Sequence, residues 1–349
     1  MRIAQVAPLY ESVPPKAYGG TERVVSYLTE ELVRLGHDVT LFASGDSITK
    51  ARLIAPCERS LRLDPNCIDQ LAHHVTLIEQ VFKNAVDFDV IHFHIDYLHF
   101  PVSSRRGIPN VTTLHGRLDI PDLTGIYEEF SHMPVVSISD SQRQPLPGLN
   151  WRRTVYHGLP TDLYDFQAEP EPYLAFIGRI SPEKGVDKAI EIAARAGIKL
   201  KIAAKVDTVD EAYFKDRIEP LLESPLIEFL GEIGEEEKNK FLGKAFALLF
   251  PIDWPEPFGL VMIEAMGCGT PVVAFRRGAV PEVVDTGVTG FVCDDADQAI
   301  AALHQVASLS RGRCRQVFEE RFSVTRMAMD YLDIYKGLAG AARSAELTL

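Results

Sequence analysis

The chain has 349 residues, of which 46% are hydrophobic and 24% charged, and a formal net charge of −13 at pH 7. This length predicts two domains of comparable size, and this composition excludes a disordered or fibrous chain. The acidic balance excludes a general nucleic-acid binder, which needs a basic face, but it is compatible with a local phosphate site.

The first half alternates short apolar runs with amphipathic segments. Residues 2–8 predict a buried strand, and helical spacing of apolar residues from Thr21 predicts a helix that ends at Gly36. A further helix is expected around 67–86. Further strands are expected at 39–43, 90–94, 110–114 and 135–138. This alternation predicts a parallel sheet covered by helices on both faces.

The pattern restarts after a proline-bearing stretch, and we place a hinge near residues 160–172. A helix is expected at 186–196, closed by Gly197. Strands are expected at 173–177, 198–204, 227–230, 247–250 and 271–275. The predicted domains are 1–165 and 166–323, with a C-terminal helical segment, 324–349, that packs back on the first domain.

Two features bear on the compartment. No apolar stretch approaches the roughly 20 residues that span a bilayer, and the N-terminus has no secretory signal pattern. The five cysteines are scattered, odd in number and without a Cys-x-x-Cys pair, which predicts reduced thiols. We therefore expect a cytoplasmic protein.

The strongest local signal is the segment 255–266, Pro-Glu-Pro-Phe-Gly-Leu-Val-Met-Ile-Glu-Ala-Met. Residues 258–266 predict a helix with Pro257 near its first turn, a position that proline favours. The free N–H groups at the start of this helix suit an anionic or hydroxyl-rich ligand. Glu256 precedes the helix and Glu264 is expected two turns along it, among apolar residues where a carboxylate needs partners. We prefer a ligand role for both to capping and solvation.

A second signal follows the predicted strand 173–177. Arg179 and Lys184 lie in the run Gly-Arg-Ile-Ser-Pro-Glu-Lys-Gly, between this strand and a helix. Two fixed cations there suit a diphosphate, since each charge-assisted contact is worth roughly 1.5–3 kcal/mol. The alternative is two ordinary surface cations beside a helix start.

Two weaker signals lie in the first half. Gly19 and Gly20, in Tyr-Gly-Gly-Thr, precede the first helix, where glycine lets backbone N–H groups approach a phosphate. His115 follows the predicted strand 110–114 and is either a cleft residue or a structural histidine.

Together these motifs resemble those of the family 4 retaining glycosyltransferases, also called glycosyl transferase group 1. The resemblance rests on Gly-Gly, His-Gly, Gly-Arg with Glu-Lys-Gly, and Glu-x7-Glu followed by Gly-Cys-Gly-Thr-Pro-Val-Val-Ala, in this order along nearly the whole chain. It implies the GT-B fold, an α/β architecture of two Rossmann-like parallel-sheet domains facing a central cleft. The implied activity is metal-independent transfer of a hexose, with retention, from a nucleotide-diphosphate sugar to an acceptor.

The resemblance implies a role for each matching residue. Arg179 and Lys184 would bind the donor diphosphate, with backbone contacts from Gly19 and Gly20. Glu264 would hold the ribose hydroxyls. The residues expected to act in catalysis are Glu256, His115, Arg179 and Lys184.

The sugar and the base would be held by further residues. Glu256 would meet the sugar hydroxyls, and His115 would contact the transferred sugar near the reacting carbon. The base would lie near residues 231–233, with Ile233 in contact. The backbone contacts beside Glu256 would come from Phe258, Gly259 and Leu260.

The implied partners are the nucleotide-sugar donor and a glycan, small-molecule or lipid-linked acceptor, with no cofactor, no metal and no nucleic acid. A lipid-linked acceptor would add peripheral contact with the inner membrane face. Arg105, Arg106, Arg152 and Arg153 are candidate contacts for an anionic acceptor, with solvated surface as the alternative.

The chain departs from the family pattern at two places. His157 stands where members often have asparagine, and Trp254 precedes Glu256 where serine or threonine is common. The first changes the motif of the loop 156–162, and the second is expected to shape the sugar pocket.

Three more histidines, His92, His94 and His99, lie near Asp96. His92 and His94 share a face of a predicted strand, an arrangement that zinc uses, but no cysteine lies nearby. Lining of an acceptor pocket and ordinary core positions are the alternatives to a metal.

Four rival functions stay open. A nucleotide-sugar epimerase shares the implied fold and would use no acceptor. A glycogen-type phosphorylase would need a pyridoxal-phosphate lysine and a longer chain. A nicotinamide dehydrogenase is disfavoured because Gly-x-Gly-x-x-Gly is absent. A non-catalytic binding module is the remaining alternative.

Overall fold

The computed structural model describes residues 1–16 and 19–346 and divides the chain into two compact units. The first contains Met1–Pro160 together with the C-terminal segment from Val324, and the second contains Thr161–Ser323. The division falls after Pro160, whereas the sequence predicted it after residue 165. Tyr18, part of the Tyr-Gly-Gly-Thr motif, lies outside the described residues.

The first unit is built on a seven-stranded parallel sheet. Its strands are β1 (Arg2–Val6), β2 (Asp38–Phe42), β3 (Arg52–Ile54), β4 (Val90–Phe93), β5 (Asn110–Thr113), β6 (Pro134–Ser137) and β7 (Asn150–Thr154). The helices between them are α1 (Gly20–Arg34), α2 (Gln70–Lys83), α3 (Phe100–Ser103), α4 (Leu123–Glu129) and α5 (Asp140–Arg143). The strand order is β3-β2-β1-β4-β5-β6-β7, and every neighbouring pair is parallel.

The central strands of this sheet are apolar enough to be covered on both faces. In β1, Ile3, Ala4 and Val6 are fully buried, and all four residues of β4 are buried. Helix α1 buries Val24 and Leu28 on one side, in line with the helical spacing of its apolar residues.

The second unit is a six-stranded parallel sheet with its own core. Its strands are β8 (Tyr173–Arg179), β9 (Lys199–Lys205), β10 (Ile227–Gly231), β11 (Ala247–Phe250), β12 (Val272–Phe275) and β13 (Gly290–Cys293). Its helices are α6 (Val186–Ala196), α7 (Glu211–Tyr213), α8 (Glu235–Gly243), α9 (Leu260–Gly267), α10 (Val280–Val283), α11 (Ala296–Val306) and α12 (Arg311–Arg321). The strand order is β10-β9-β8-β11-β12-β13.

The last helix, α13 (Val324–Glu346), belongs to the first unit. It buries Tyr331 and Tyr335 completely, and Tyr335 lies against the sheet through hydrogen bonds to Gln5 on β1 and His92 on β4. These bonds fix the chain's C-terminal helix to the centre of its first sheet.

Candidate active site

Each sheet changes its winding direction at one point, and ligands of such sheets usually bind at the carboxyl ends of the strands there. In the second unit this point lies between β8 and β11, because β9 and β10 extend from it one way and β12 and β13 the other. Arg179 ends β8, and the segment 251–259 follows β11. The two strongest sequence motifs therefore meet at this edge of the second sheet.

The loops that follow β8 and β11 are fixed to each other through their backbones. Gly185 has a left-handed φ of 70°, and a Cβ there would overlap the carbonyl oxygen of Pro251. The N–H of Asp253 donates to the carbonyl oxygen of Glu183 at 2.9 Å. Only glycine at position 185 allows the two loops to come this close.

Arg179 is surrounded by carboxylates. Its Nη2 lies 2.6 Å from Glu183 Oε1, and its Nη1 lies 3.8 Å from Asp207 and 3.9 Å from Asp210. The two aspartates come from the loop after β9, and the sequence motif gave no sign of them. A diphosphate would bind Arg179 only in competition with these three carboxylates.

Lys184 and Glu256, predicted as separate ligand contacts, form an ion pair. Lys184 Nζ lies 2.6 Å from Glu256 Oε2, and both side chains are largely buried. Trp254 donates from its ring N–H to the same oxygen at 2.9 Å, and Lys184 Nζ lies 4.7 Å from the centre of the Trp254 ring. The tryptophan that departs from the family pattern thus orients Glu256 directly.

The helix predicted over 258–266 begins two residues later, at Leu260. Gly259 precedes it with a left-handed φ of 83°, which is not a helical conformation, so Phe258 lies outside the helix. Glu264 is consequently the fifth residue of α9, little more than one turn along, and not two turns as predicted. Leu260, at the first helical position, has a backbone N–H without an intrahelical acceptor.

Glu264 is buried, as its apolar neighbours predicted, and it has a cationic partner that the sequence did not indicate. Lys238 of α8 places Nζ 2.9 Å from Glu264 Oε1. Ile233, predicted to contact the base, is partly exposed in the loop between β10 and α8. A contact with the base stays a prediction.

In the first unit the winding changes between β1 and β4. Gln5 lies on β1, His94 directly follows β4, and His115 lies two residues beyond β5. Gly19 directly precedes α1, and Gly20 is its first residue. The weaker signals of the first half thus lie at strand ends and at a helix N-terminus, and their phosphate and sugar contacts stay predictions.

His115 belongs to a chain of largely buried hydrogen bonds. His94 Nε2 lies 2.8 Å from the amide oxygen of Gln5, which only accepts, so Nε2 carries the proton and Nδ1 accepts. His115 Nε2 lies 2.9 Å from that Nδ1 and is therefore the donor. Burial lowers the pKa of His115 to about 3, so the ring is neutral and its Nδ1 is an acceptor. The ring of His157 stacks on it at 5.4 Å.

His92 and His99 are held within the core. His92 contacts Tyr335 and Thr113 through its two ring nitrogens, at 2.6 and 2.7 Å, and the rings of His92 and His94 lie 4.0 Å apart. His99 contacts Ser103 and Thr112. Among residues 1–16 and 19–346 no group of three or more His, Cys, Asp or Glu is arranged to hold a metal ion.

These histidines predict a pH-dependent stability. Burial lowers the pKa of each well below its usual value, so the folded unit stays neutral where the unfolded chain takes up protons. The unfolding free energy should therefore fall as pH drops below about 6.5, by up to about 1.4 kcal/mol per pH unit for each histidine. The histidines concerned are His92, His94, His99 and His157.

Urea unfolding at pH 7.5, 6.5 and 5.5 measures this slope. In the variant His99→Gln, the slope of the unfolding free energy against pH should be smaller by the contribution of one proton, about 1.4 kcal/mol per pH unit. Asp96 acts in the opposite direction, because burial raises its pKa to about 6. An unchanged slope in His99→Gln would show that this histidine titrates alike in the folded and unfolded states.

The candidate acceptor contacts are surface residues. Arg105, Arg106, Arg152 and Arg153 are all exposed, and Arg153 pairs with Asp330 at 2.8 Å. An acceptor contact stays a prediction for each of them. In the part of the chain that the structure describes, no helix combines the length and apolar character needed to cross a membrane.

Two family models match consecutive parts of the chain. The model of the glycosyl transferases group 1 matches residues 165–321, and that of glycosyltransferase family 4 matches residues 18–157. Together they account for most of both units.

Related proteins agree with this assignment. An uncharacterized glycosyltransferase of Methanocaldococcus jannaschii is 26% identical, over 83% of this chain and 84% of its own. Alpha-maltose-1-phosphate synthase of Mycolicibacterium smegmatis is 26% identical, over 96% of this chain and 99% of its own.

Solved structures share the architecture. AviGT4, a glycosyltransferase involved in avilamycin A biosynthesis, superposes with a TM-score of 0.75 at 26% identity, with 98% of both chains covered. HepE of Anabaena, solved in complex with UDP-glucose, shares the fold with a TM-score of 0.72 at 17% identity, over 97% of this chain and 100% of its own. The chain therefore belongs to the group 1, family 4 glycosyltransferases and is a glycosyltransferase with the GT-B fold.

Proposed function

We propose that this enzyme moves a hexose from a nucleotide-diphosphate sugar to an acceptor hydroxyl, with retention and without a metal ion. One observation supports the proposal above all. Arg179, the Lys184–Glu256 pair and the start of α9 come together at the carboxyl ends of β8 and β11 in the second sheet. Such an edge is where a nucleotide binds in sheets of this kind.

Arg179 and Lys184 are assigned to the donor diphosphate. Breaking the bond between sugar and phosphate leaves negative charge on the diphosphate, and oriented cations stabilise that charge as it grows. One such donor contributes about 2.7–4 kcal/mol to lowering the barrier. Two cations and the free N–H of Leu260 supply this stabilisation from the protein itself, which is why we propose a metal-independent reaction.

Glu256 is assigned to the sugar hydroxyls. Its Oε2 accepts from both Lys184 and Trp254, which leaves Oε1 to accept from a hydroxyl. In the first unit, His115 is assigned to the transferred sugar, with Nδ1 as acceptor, and Gly19 and Gly20 to the phosphates. Ile233 is assigned to the base.

In the proposed reaction the bond between the anomeric carbon and the diphosphate oxygen breaks first, and the acceptor oxygen bonds that carbon from the same face. The acceptor's proton passes to the departing diphosphate oxygen. We propose a glycan, small molecule or lipid-linked sugar as the acceptor. The matched families and relatives are glycosyltransferases, so neither an epimerase nor a dehydrogenase is favoured.

Thermal-shift screening of UDP, GDP and ADP sugars, with and without EDTA, tests the proposal. We expect stabilisation by the sugars of one base, unchanged by EDTA, and slow hydrolysis of that donor whose first product is the retained anomer by NMR. A thermal shift with NADH and none with any nucleotide sugar would overturn the proposed function.

The variant Glu256→Gln should separate sugar binding from nucleotide binding. We expect kcat/KM for the nucleotide sugar to fall by about tenfold or more, because the amide accepts less strongly from hydroxyls than the carboxylate. The Kd of the nucleotide diphosphate alone should stay within a few-fold, because Lys184 is still present. Steady-state kinetics and calorimetric titration measure the two quantities.

Asp253→Asn is the matched control, because it removes an exposed carboxylate from the same loop. Two results would contradict the assignment of Glu256 to the sugar. One is an equal loss of kcat/KM in both variants, and the other is an equal loss of affinity for the nucleotide sugar and the nucleotide diphosphate in Glu256→Gln.

A further inference from the structure

Glu264 is held by a largely buried lysine that is itself held by a second carboxylate. Lys238 Nζ lies 2.9 Å from Glu264 Oε1 and 2.5 Å from Glu235 Oε1. The Lys238 side chain is only 11% exposed and that of Glu264 only 8%. Tyr164 completes the cluster: its hydroxyl donates to Glu235 Oε1 at 3.1 Å, and its ring centre lies 5.7 Å from Lys238 Nζ.

This burial is unusual for the helix that carries it. The first six residues of α8 are Glu-Glu-Glu-Lys-Asn-Lys, and Lys240, two positions after Lys238, is exposed as such a sequence predicts. A lysine loses much of its hydration when it is buried, so the position of Lys238 depends on the two carboxylates that it bridges.

The contact with Lys238 fixes the orientation of the Glu264 carboxylate. In the described part of the chain, Glu264 makes its side-chain hydrogen bond through Oε1, which leaves Oε2 to accept from a ligand. An ionised carboxylate only accepts, and neighbouring ribose hydroxyls are donors that suit it. A carboxylate with one oxygen anchored loses less rotational freedom when the hydroxyls bind.

We propose that Lys238, held by Glu235, is a positioning residue that directs Glu264 to the ribose of the donor nucleotide and so sets the preference for ribonucleotides over 2′-deoxyribonucleotides. The inference rests on the proposed function, in which Glu264 holds the ribose hydroxyls. It adds a determinant in α8 that the family motif does not contain.

The test compares Lys238→Met with Lys240→Met, its exposed neighbour on the same helix. The Kd values of UDP, GDP and ADP and of their 2′-deoxy forms are measured by calorimetry for the wild-type enzyme and both variants. For the nucleotide that the wild-type enzyme binds, we expect a deoxy-to-ribo Kd ratio of about ten or more. In Lys238→Met the ratio should fall to about two or less, while the deoxynucleotide affinity changes little; Lys240→Met should match the wild type.

Two further variants keep the test decisive if Lys238→Met does not fold. Glu235→Gln weakens the hold on Lys238 at a partly exposed position and should lower the ratio by a few-fold. In Glu264→Gln the ratio should already be lost, and adding Lys238→Met should lower it no further, because the two residues act as one unit.

The outcomes separate the two proposals. A folded Lys238→Met enzyme with the wild-type ratio would overturn the inference and make Lys238 a structural counter-ion, while leaving the proposed function intact. If the wild-type enzyme binds none of the three nucleotide diphosphates, the proposed function is overturned, and the inference with it.

Discussion

Replacing Arg179 by alanine should lower kcat/KM for the donor by about 10²–10³-fold. Arg179 ends β8, and the Lys184–Glu256 pair joins the loops that follow β8 and β11, where the diphosphate is proposed to bind. Loss of one oriented cation removes about 2.7–4 kcal/mol of transition-state stabilisation, which corresponds to this range. Steady-state kinetics with the donor identified by thermal shift measure the effect.

In Arg179→Ala, binding of the nucleotide diphosphate in the ground state should be weakened less than stabilisation of the transition state. In the free enzyme Arg179 is already paired with Glu183 and lies near Asp207 and Asp210, so a diphosphate gains its contact only by displacing carboxylates. We therefore expect the Kd of the nucleotide diphosphate to rise by only about tenfold in Arg179→Ala. The larger part of the loss should appear in kcat.

Arg195→Ala is the matched control. Arg195 lies near the far end of α6 and is paired on the surface with Glu191, so its removal should change kcat/KM by less than about twofold. Arg179→Lys should recover only part of the activity, since an ammonium cannot make the planar, paired contacts of a guanidinium. Wild-type kinetics in Arg179→Ala would exclude Arg179 from the reaction.

The centre of each sheet was predictable because its strands are short, apolar and regularly alternated with helices. The helix 186–196 was predicted with the observed bounds. Three strands were missed, β3, β7 and β13, and each lies at the edge of a sheet. Strand β7 is partly exposed and contains the sequence Trp-Arg-Arg, so it lacks the apolar pattern that identifies a buried strand. Strand β3 has only three residues, too few for such a pattern.

The site was predictable only where its residues share a motif. The sequence placed Arg179, Lys184 and Glu256 in the loops after two strands and Glu264 within the helix that follows, because local spacing determines those positions. It did not indicate Lys238, which contacts Glu264 from a different helix across 26 positions of sequence. Such a contact follows from the packing of helices in the folded unit, and nothing in the local pattern encodes it.

The same holds for the first unit. His115 could be placed after a strand, but its tautomer is set by hydrogen bonds through His94, which directly follows β4, and Gln5 on β1. The start of α9 was predicted two residues early because Gly259 follows Pro257-Phe258 in a run that is otherwise compatible with a helix. The left-handed backbone of Gly259 is a property of the folded loop.

Replacing Arg311 by methionine should destabilise the second unit more than removal of any surface charge. Arg311, the first residue of α12, donates from its guanidinium to the backbone carbonyl oxygens of Gln167, Gly243 and Ala245 and to Thr270 Oγ1, at 2.5–2.9 Å. Methionine fills a similar volume but donates nothing, so these acceptors lose a charged donor while partly buried. We expect a loss of about 3–5 kcal/mol in the free energy of unfolding.

For a unit of this size, a loss of 1 kcal/mol lowers Tm by about 2–4 °C, so Arg311→Met should lower Tm by roughly 10 °C. Arg313→Met is the matched control, because Arg313 lies two positions along the same helix and pairs only on the surface with Glu320. Its Tm should stay within about 2 °C of the wild type. Calorimetry with and without the bound nucleotide distinguishes a stability effect from damage to the site. A Tm for Arg311→Met equal to that of Arg313→Met would mean that water replaces the guanidinium at no cost, and that the three carbonyl groups do not depend on it.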